Sequence, residues 1–375
     1  MWDYSWLTRR TGAEAEFADW DHVLDQLVDR GYNCIRLDAF PHFVATDAAG
    51  GSSDSFTVLA NPELFPWGNH TPVGIHPRGG LLEILTKMKD RGLRAGLSAW
   101  FNDDITHRRL QIVTPADFAR VWRETLDVLA DQNLLDVVEW VDLCNEFPFP
   151  DWAPAAYEDI HGAPSTDLLS ALSPWSDAER AKVQAYVDDG IGSIRDRYPE
   201  LRYTVSVMAP LFGENFRTLN TDSLDLAEPH IWLTGDIGFA LMSGQLDLLL
   251  QVPGSLEKHV ATAPDMYFGQ RDHWLNVMRQ EINTWATWAR ERSLPLITTE
   301  AWGPVIYDDT KAAAGASEWD WVKDVCEASV QLAIDAGWSG ICTSNFTEPH
   351  FEGIWSDASW HQRLTTSIRK SSSRP

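Results

Sequence analysis

The sequence predicts a (β/α)8 barrel, a TIM barrel with long loops after its second and fourth strands, and three observations carry that prediction. Short apolar runs alternate with longer amphipathic segments from end to end. Eight such alternations can be counted. No internal repeat, low-complexity linker or shift in composition divides the 375 residues, so a single domain over 1–375 is expected. A doubly wound open sheet is the competing architecture, but Thr8-Arg9-Arg10-Thr11-Gly12 after the first run carries no Gly-rich phosphate loop. That also removes nucleotide cofactors, and no other cofactor is expected.

The first strand is expected at Trp2 to Leu7, followed by a helix from Phe17 to Arg30 whose apolar face is Phe17, Trp20, Val23, Leu24 and Leu27. Gly31 stops that helix, and Asn33 to Phe40 is the second strand. A Gly, Ser and Pro-rich loop runs on to Pro77. The helix Leu81 to Arg91 ends at Gly92, and Leu93 to Phe101 is the third strand. Thr114-Pro115 caps a helix that continues to about Asp131.

The fourth strand is the apolar run from Val137 that ends in Asn145-Glu146, closed by Pro148 and Pro150. A second long loop, Phe147 to Pro174, precedes the capping box Ser176-Asp177-Ala178-Glu179 of a helix ending near Tyr198. Tyr203 to Met208 is the fifth strand, and a short helical segment lies near Glu214. Leu224 to Leu233 is the sixth strand, and an apolar helical cluster falls around Leu246 to Leu250. The helix Arg271 to Arg292 leads to the seventh strand, Pro295 to Ala301. Glu318 to Ala336 is helical, Gly340 to Phe346 is the eighth strand, and a helix near Ser359 to Ser367 completes the series.

Composition narrows the function. With 55 acidic and 30 basic residues, the net charge of −25 argues against nucleic-acid binding, which needs clustered Lys and Arg. No apolar stretch is long enough to span a bilayer and no export signal opens the chain, so a cytoplasmic protein is expected, with no membrane partner and no stated oligomeric state. Cys34, Cys144, Cys326 and Cys342 are widely spaced and read as buried thiols. The 19 Trp are unusual, since flat aromatic faces stack on sugars. Trp67, Trp152, Trp175, Trp302 and Trp355 fall in loops suited to that purpose. Trp285, Trp288, Trp319 and Trp321 have helical spacing and read as packing.

In a barrel the chemistry stands at the carboxy ends of strands. Those positions hold Arg36 and Asp38 on the second strand, Trp100 and the Asn102-Asp103-Asp104 turn after the third, and Asn145 and Glu146 on the fourth. They hold His230 and Trp232 on the sixth, Thr299 and Glu300 on the seventh, and Asn345 on the eighth. Two glutamates facing across a barrel mouth are what glycoside hydrolysis requires: one protonates the leaving oxygen and the other supports charge on the anomeric carbon. A gap of about 5 Å permits covalent catalysis with retention, and roughly 6.5–9.5 Å leaves room for water and inversion. Arg36 also has a structural alternative, an ion pair with Asp38 on the same strand face.

On these residues the sequence resembles the cellulase-like members of glycoside hydrolase clan A over nearly its whole length. The resemblance implies a retaining mechanism with Glu146 as acid/base, Asn145 on the sugar 2-hydroxyl, and Glu300, within Thr298-Thr299-Glu300-Ala301-Trp302-Gly303, as nucleophile. It implies that Arg36 holds the nucleophile ionised. The usual His-x-Tyr is replaced by His230-Ile231-Trp232, and the histidine near the third strand end by Ser98-Ala99-Trp100. The stacking tryptophan of the eighth strand is replaced by Asn345-Phe346, with Trp355 expected in its place. These departures surround the sugar and leave its identity open.

The expectation is therefore a retaining, exo-acting glycosidase for an oligosaccharide or glycoside. The alternatives are a barrel that binds sugar without cleaving it and, last, a metal-dependent hydrolase, which would want paired histidines where Trp2-Asp3-Tyr4 stands. No metal site is expected.

Overall fold

The computed structural model describes residues 4–12, 14–61, 68–167, 172–249, 252–305, 317–344 and 347–372. Its strands are β1 (Cys34–Asp38), β2 (Phe56–Val58), β3 (Val73–Ile75), β4 (Arg94–Ser98), β5 (Val138–Asp142), β6 (Tyr203–Thr204), β7 (Ser206–Met208), β8 (Glu228–Trp232), β9 (Ile297–Thr298), β10 (Ala301–Trp302) and β11 (Gly340–Ile341). β6 and β7 are halves of the predicted fifth strand, interrupted at Val205, and β9 and β10 are halves of the seventh. All pairings except the β2–β3 hairpin are parallel, in the orders β1-β4-β5-β6, β7-β8-β10 and β9-β11. Joined through their halves, these are the predicted second to eighth strands in barrel order. The fold is the (β/α)8 barrel.

The helices between the strands follow their apolar periodicity. Trp20–Asp29 starts where Asp19 accepts from the His22 N–H, and it buries Trp20, Val23, Leu24 and Leu27 as expected. Pro115–Asp131 and Asp177–Arg195 both begin with complete capping boxes, Thr114 with Asp117 and Ser176 with Glu179. Each side chain of Leu or Phe size that these faces bury contributes about 1.5–3 kcal/mol of transfer free energy. The buried apolar residues form one continuous cluster that takes in both strands and helices.

The first predicted strand is corrected. Ser5–Thr8 is one helical turn, held by Thr8 and Arg9 N–H bonds to the Tyr4 and Ser5 carbonyls. Every residue of that turn is buried, and the Trp6 indole donates to the Asp38 carbonyl at 3.1 Å. A turn buried on all sides has the same apolar look as a buried strand, so periodicity cannot separate the two. Residues 1–3 lie outside the described part.

The long loops also hold more order than expected. β2 and β3 pair as a hairpin, Pro154–His161 is a helix, and Ile237–Ser243, Gln245–Leu249 and Ser255–Gly269 are helices in the segment after β8. One glycine is dictated by the barrel interior: a Cβ on Gly96 would lie 2.2 Å from the Trp140 ring of the neighbouring strand. All four thiols are free, with Cys144 and Cys326 fully buried and Cys34 and Cys342 partly so. Among the described residues, no helix is long and apolar enough to cross a membrane.

Candidate active site

Side chains alternate along a strand, so Arg36 and Asp38 share one face of β1, and Glu228, His230 and Trp232 share one face of β8. Where the strands give way to loops, the backbone turns sharply. Phe40, Phe101, Glu146 and Trp302 all have positive φ (48°, 40°, 49° and 112°) although none is glycine. Such conformations cost about 1–3 kcal/mol each and persist only where the surroundings enforce them. For Glu146 the enforcing contact is its own N–H, which donates to Ser206 Oγ at 2.9 Å.

Arg36 is the hub. Its Nη1 donates to Glu300 Oε1 at 2.8 Å. Its Nη2 shares two hydrogens among Asn145 Oδ1 (2.7 Å), Ser98 Oγ (2.9 Å), Ser206 Oγ (3.1 Å) and Asp142 Oδ2. Asp142 in turn accepts from both serine hydroxyls and from the Ser206 N–H. The Trp100 ring lies 4.4 Å from the guanidinium carbon and covers it. Asp38 accepts from Asn102 Nδ2 at 2.9 Å and from the Phe40 N–H, fixing the turn beside the site.

His230 stands between the two glutamates. Its Nδ1 is 3.0 Å from Glu146 Oε1 and 3.5 Å from Glu300 Oε2, so its firmer contact is with Glu146 rather than with Glu300. One atom from each of Glu146, His230 and Glu300 can be chosen with all three within 4.8 Å of one another. This is the tightest acid and histidine group among the described residues. Arg36 and His230 already supply positive charge there, which disfavours a cation between the carboxylates.

Burial opposes every charge in this cluster, and the neighbours decide the outcome. Burial lowers the His230 pKa, but Glu300, Glu146 and Glu228 outweigh it and raise the imidazole to about 10. The Arg36 guanidinium is likewise pushed down by burial and raised overall by Glu228, Asp142 and Glu300. Burial pushes Asp142 up, with Glu228 adding to it against Arg36. Glu228 is held below the usual range, because Arg36 together with His230 and Thr299 overcomes its burial.

Of the residues singled out from sequence, Arg36, Trp100, Asn145, Glu146, His230 and Glu300 come together here. Trp232 is half-buried, and its indole N–H has no partner among the described residues. Trp302 is fully buried and donates to the Cys342 carbonyl at 3.0 Å. Trp355 is not brought to the glutamates. Its indole donates to Gln26 at 2.8 Å, and Arg30 stacks on its ring and bonds its carbonyl, at the end of the helix that feeds the amino end of β1. Trp152 and Trp175 are almost wholly buried. Asn345 and Trp67 lie outside the described residues. Asp104 accepts from Thr106 and from the Arg108 N–H, a self-capped turn. Glu348 and His350 are buried as a pair 3.1 Å apart.

Sequence reasoning missed Asp142, Glu228, Ser98 and Ser206. A signal existed for two of them: an acid interrupting the apolar runs Val141-Asp142-Leu143 and Ala227-Glu228-Pro229. Charged groups are almost never fully buried unless paired. Two cavities, of about 510 and 570 Å3, lie over the β2–β3 hairpin and at the amino ends of the strands. Neither is lined by Glu146 or Glu300, so side-chain geometry defines the site.

Fold and strand-end residues together define a cellulase-like (β/α)8 barrel. The chain belongs to the Cellulase-like family, described as sugar-binding cellulase-like, whose profile matches residues 1–369. It is similar, at 31% identity and a TM-score of 0.84, to a candidate glycoside hydrolase from Parabacteroides distasonis, covering 98% of this chain and 92% of that one. The fold is shared with a glycoside hydrolase family 5 enzyme from Prevotella bryantii (13% identity, TM-score 0.56, 99% and 94% covered). It is also shared with an exo-beta-1,4-mannosidase from Opitutaceae bacterium strain TAV5 (14% identity, TM-score 0.53), where this chain is covered completely and spans 60% of the other. No curated protein matches the sequence.

Proposed function

We propose that the protein is a retaining glycoside hydrolase acting as a single catalytic unit on an oligosaccharide or glycoside. The observation that carries this reading is the close approach of Glu146 and Glu300, with one carboxylate oxygen of each inside 4.8 Å and Arg36 bonded to Glu300. A gap of about 5 Å suits direct attack and is too short for an intervening water. Glu300 attacks the anomeric carbon while the bond to the leaving oxygen breaks and Glu146 gives that oxygen its proton. Glu146 then takes a proton from water, whose oxygen displaces Glu300 from the sugar.

Asn145 shares Arg36 with Glu300 and is suited to bond the sugar 2-hydroxyl beside the reacting carbon. The ordered hairpin after β1 and the helix Pro154–His161 after β5 support a walled pocket and exo action. Aryl glycosides of gluco, galacto, manno and pentose configuration should reveal the sugar by release of the phenol. A 2-fluoro glycoside of the hydrolysed sugar should leave a covalent adduct on Glu300, and Glu300→Ala should lose all but about a thousandth of turnover. An active Glu300→Ala protein would overturn the assignment. The family's description as sugar-binding keeps one other reading, a barrel that holds sugar uncleaved. Binding of the same glycosides without any phenol release would establish that instead.

A further inference from the structure

Two cationic groups and four carboxyl groups share one buried volume: Arg36 and His230 with Glu146, Glu300, Asp142 and Glu228. The chemistry above employs Glu146 and Glu300 and leaves Glu228 without a task. Its side chain is completely buried. Its Oε1 accepts from the Thr299 hydroxyl and lies 3.5 Å from Arg36 Nε and 3.8 Å from His230 Nε2. Two residues before His230 on β8, it points the same way one layer deeper in the barrel. From there it faces the rear edge of both side chains whose front edges meet the reacting glutamates.

We propose that Glu228 is a positioning residue for the reaction: from the layer beneath the site it holds Arg36 and His230 inward as cations, presenting Arg36 to Glu300 and His230 Nδ1 to Glu146. This rests on the glycosidase reading. The groups facing Glu228 are Arg36 and Cys34 from β1, Asp142 from β5, His230 from its own strand, and Thr299 from the β9–β10 connection. Arg36 and His230 thus meet Glu228 on their rear edges and Glu300 and Glu146 on their front edges. Without Glu228, Arg36 and His230 would lose the carboxylate behind them. The imidazole would then give up its proton at lower pH.

The test is Glu228→Gln, which preserves shape and can still accept from Thr299. Its kcat should fall about 10–100-fold, as when a supporting partner of a reactive group is removed, with KM little changed. The alkaline limb of kcat/KM should move down by about one pH unit or more. Glu228→Asp keeps the charge and should keep the wild-type limb while losing part of kcat. It also serves as the folded comparison should the Gln variant not accumulate. A Glu228→Gln protein with a wild-type kcat or a superimposable pH profile would overturn the inference, as would a shifted limb in Glu228→Asp. Glu300→Ala, measured alongside, separates the failures: if it is active the glycosidase reading falls, and if it is inactive while Glu228→Gln is normal only this inference falls.

Discussion

Arg36 and Glu300 are 264 positions apart in the chain and joined by a 2.8 Å hydrogen bond in the barrel mouth. The same guanidinium reaches Asn145 and Asp142, so one side chain ties the second, fourth and seventh strands to the site. Lysine cannot replace this fork, because an ammonium presents its donors from one point. Arg36→Lys should lower kcat/KM by about 100-fold or more, the scale seen when one directed donor is removed. Removing the charge with Arg36→Met should also destabilise the fold by about 3–5 kcal/mol, since the buried carboxylates lose their counter-ion. Denaturant midpoints and steady-state kinetics on both variants check the pair of effects.

His230 sets the alkaline boundary. Its pKa is raised from 6.5 to about 10 in the folded protein, so its contribution is fully present below 6.5 and is lost as pH rises through about 10. Stability and kcat/KM should therefore both decline as pH approaches that value. In His230→Asn the stability decline should flatten, and a pH series of unfolding midpoints distinguishes the two proteins. An unchanged slope in the variant would show that another group titrates there.

Trp355 and Gly96 test the division between scaffold and site. Trp355→Ala removes a large side chain stacked on Arg30 and should cost about 3–5 kcal/mol while leaving KM for the hydrolysed glycoside unchanged. Gly96→Ala drives a methyl group into Trp140 and should cost about 1–3 kcal/mol through overpacking. Thermal unfolding and KM together check both; a raised KM for Trp355→Ala would return that residue to the sugar.

Much of this was legible in the sequence because each amphipathic helix carries its own period and its own caps, as in Thr114 and Ser176. The ends of the strands then fall where Glu146 and Glu300 stand. What escaped is of two kinds. The turn at Ser5–Thr8 is buried all round and has no periodicity to betray its conformation. Asp142 and Glu228 are deep acids whose partners, Arg36 and His230, lie on other strands or at the next inward position, and only the closing of the sheet shows that such charges are matched. The tryptophans show a related limit: a loop position in sequence says nothing of whether an indole faces water, and Trp302, Trp152 and Trp175 are buried.

The four left-handed turns at Phe40, Phe101, Glu146 and Trp302 set heat resistance against competence. Glycine would relax the backbone at any of them, yet each relaxation would free a strand end to wander from the geometry that brings the glutamates together. A selection for thermal endurance alone would be drawn to these positions, and the proteins it yields would be sturdier and idle.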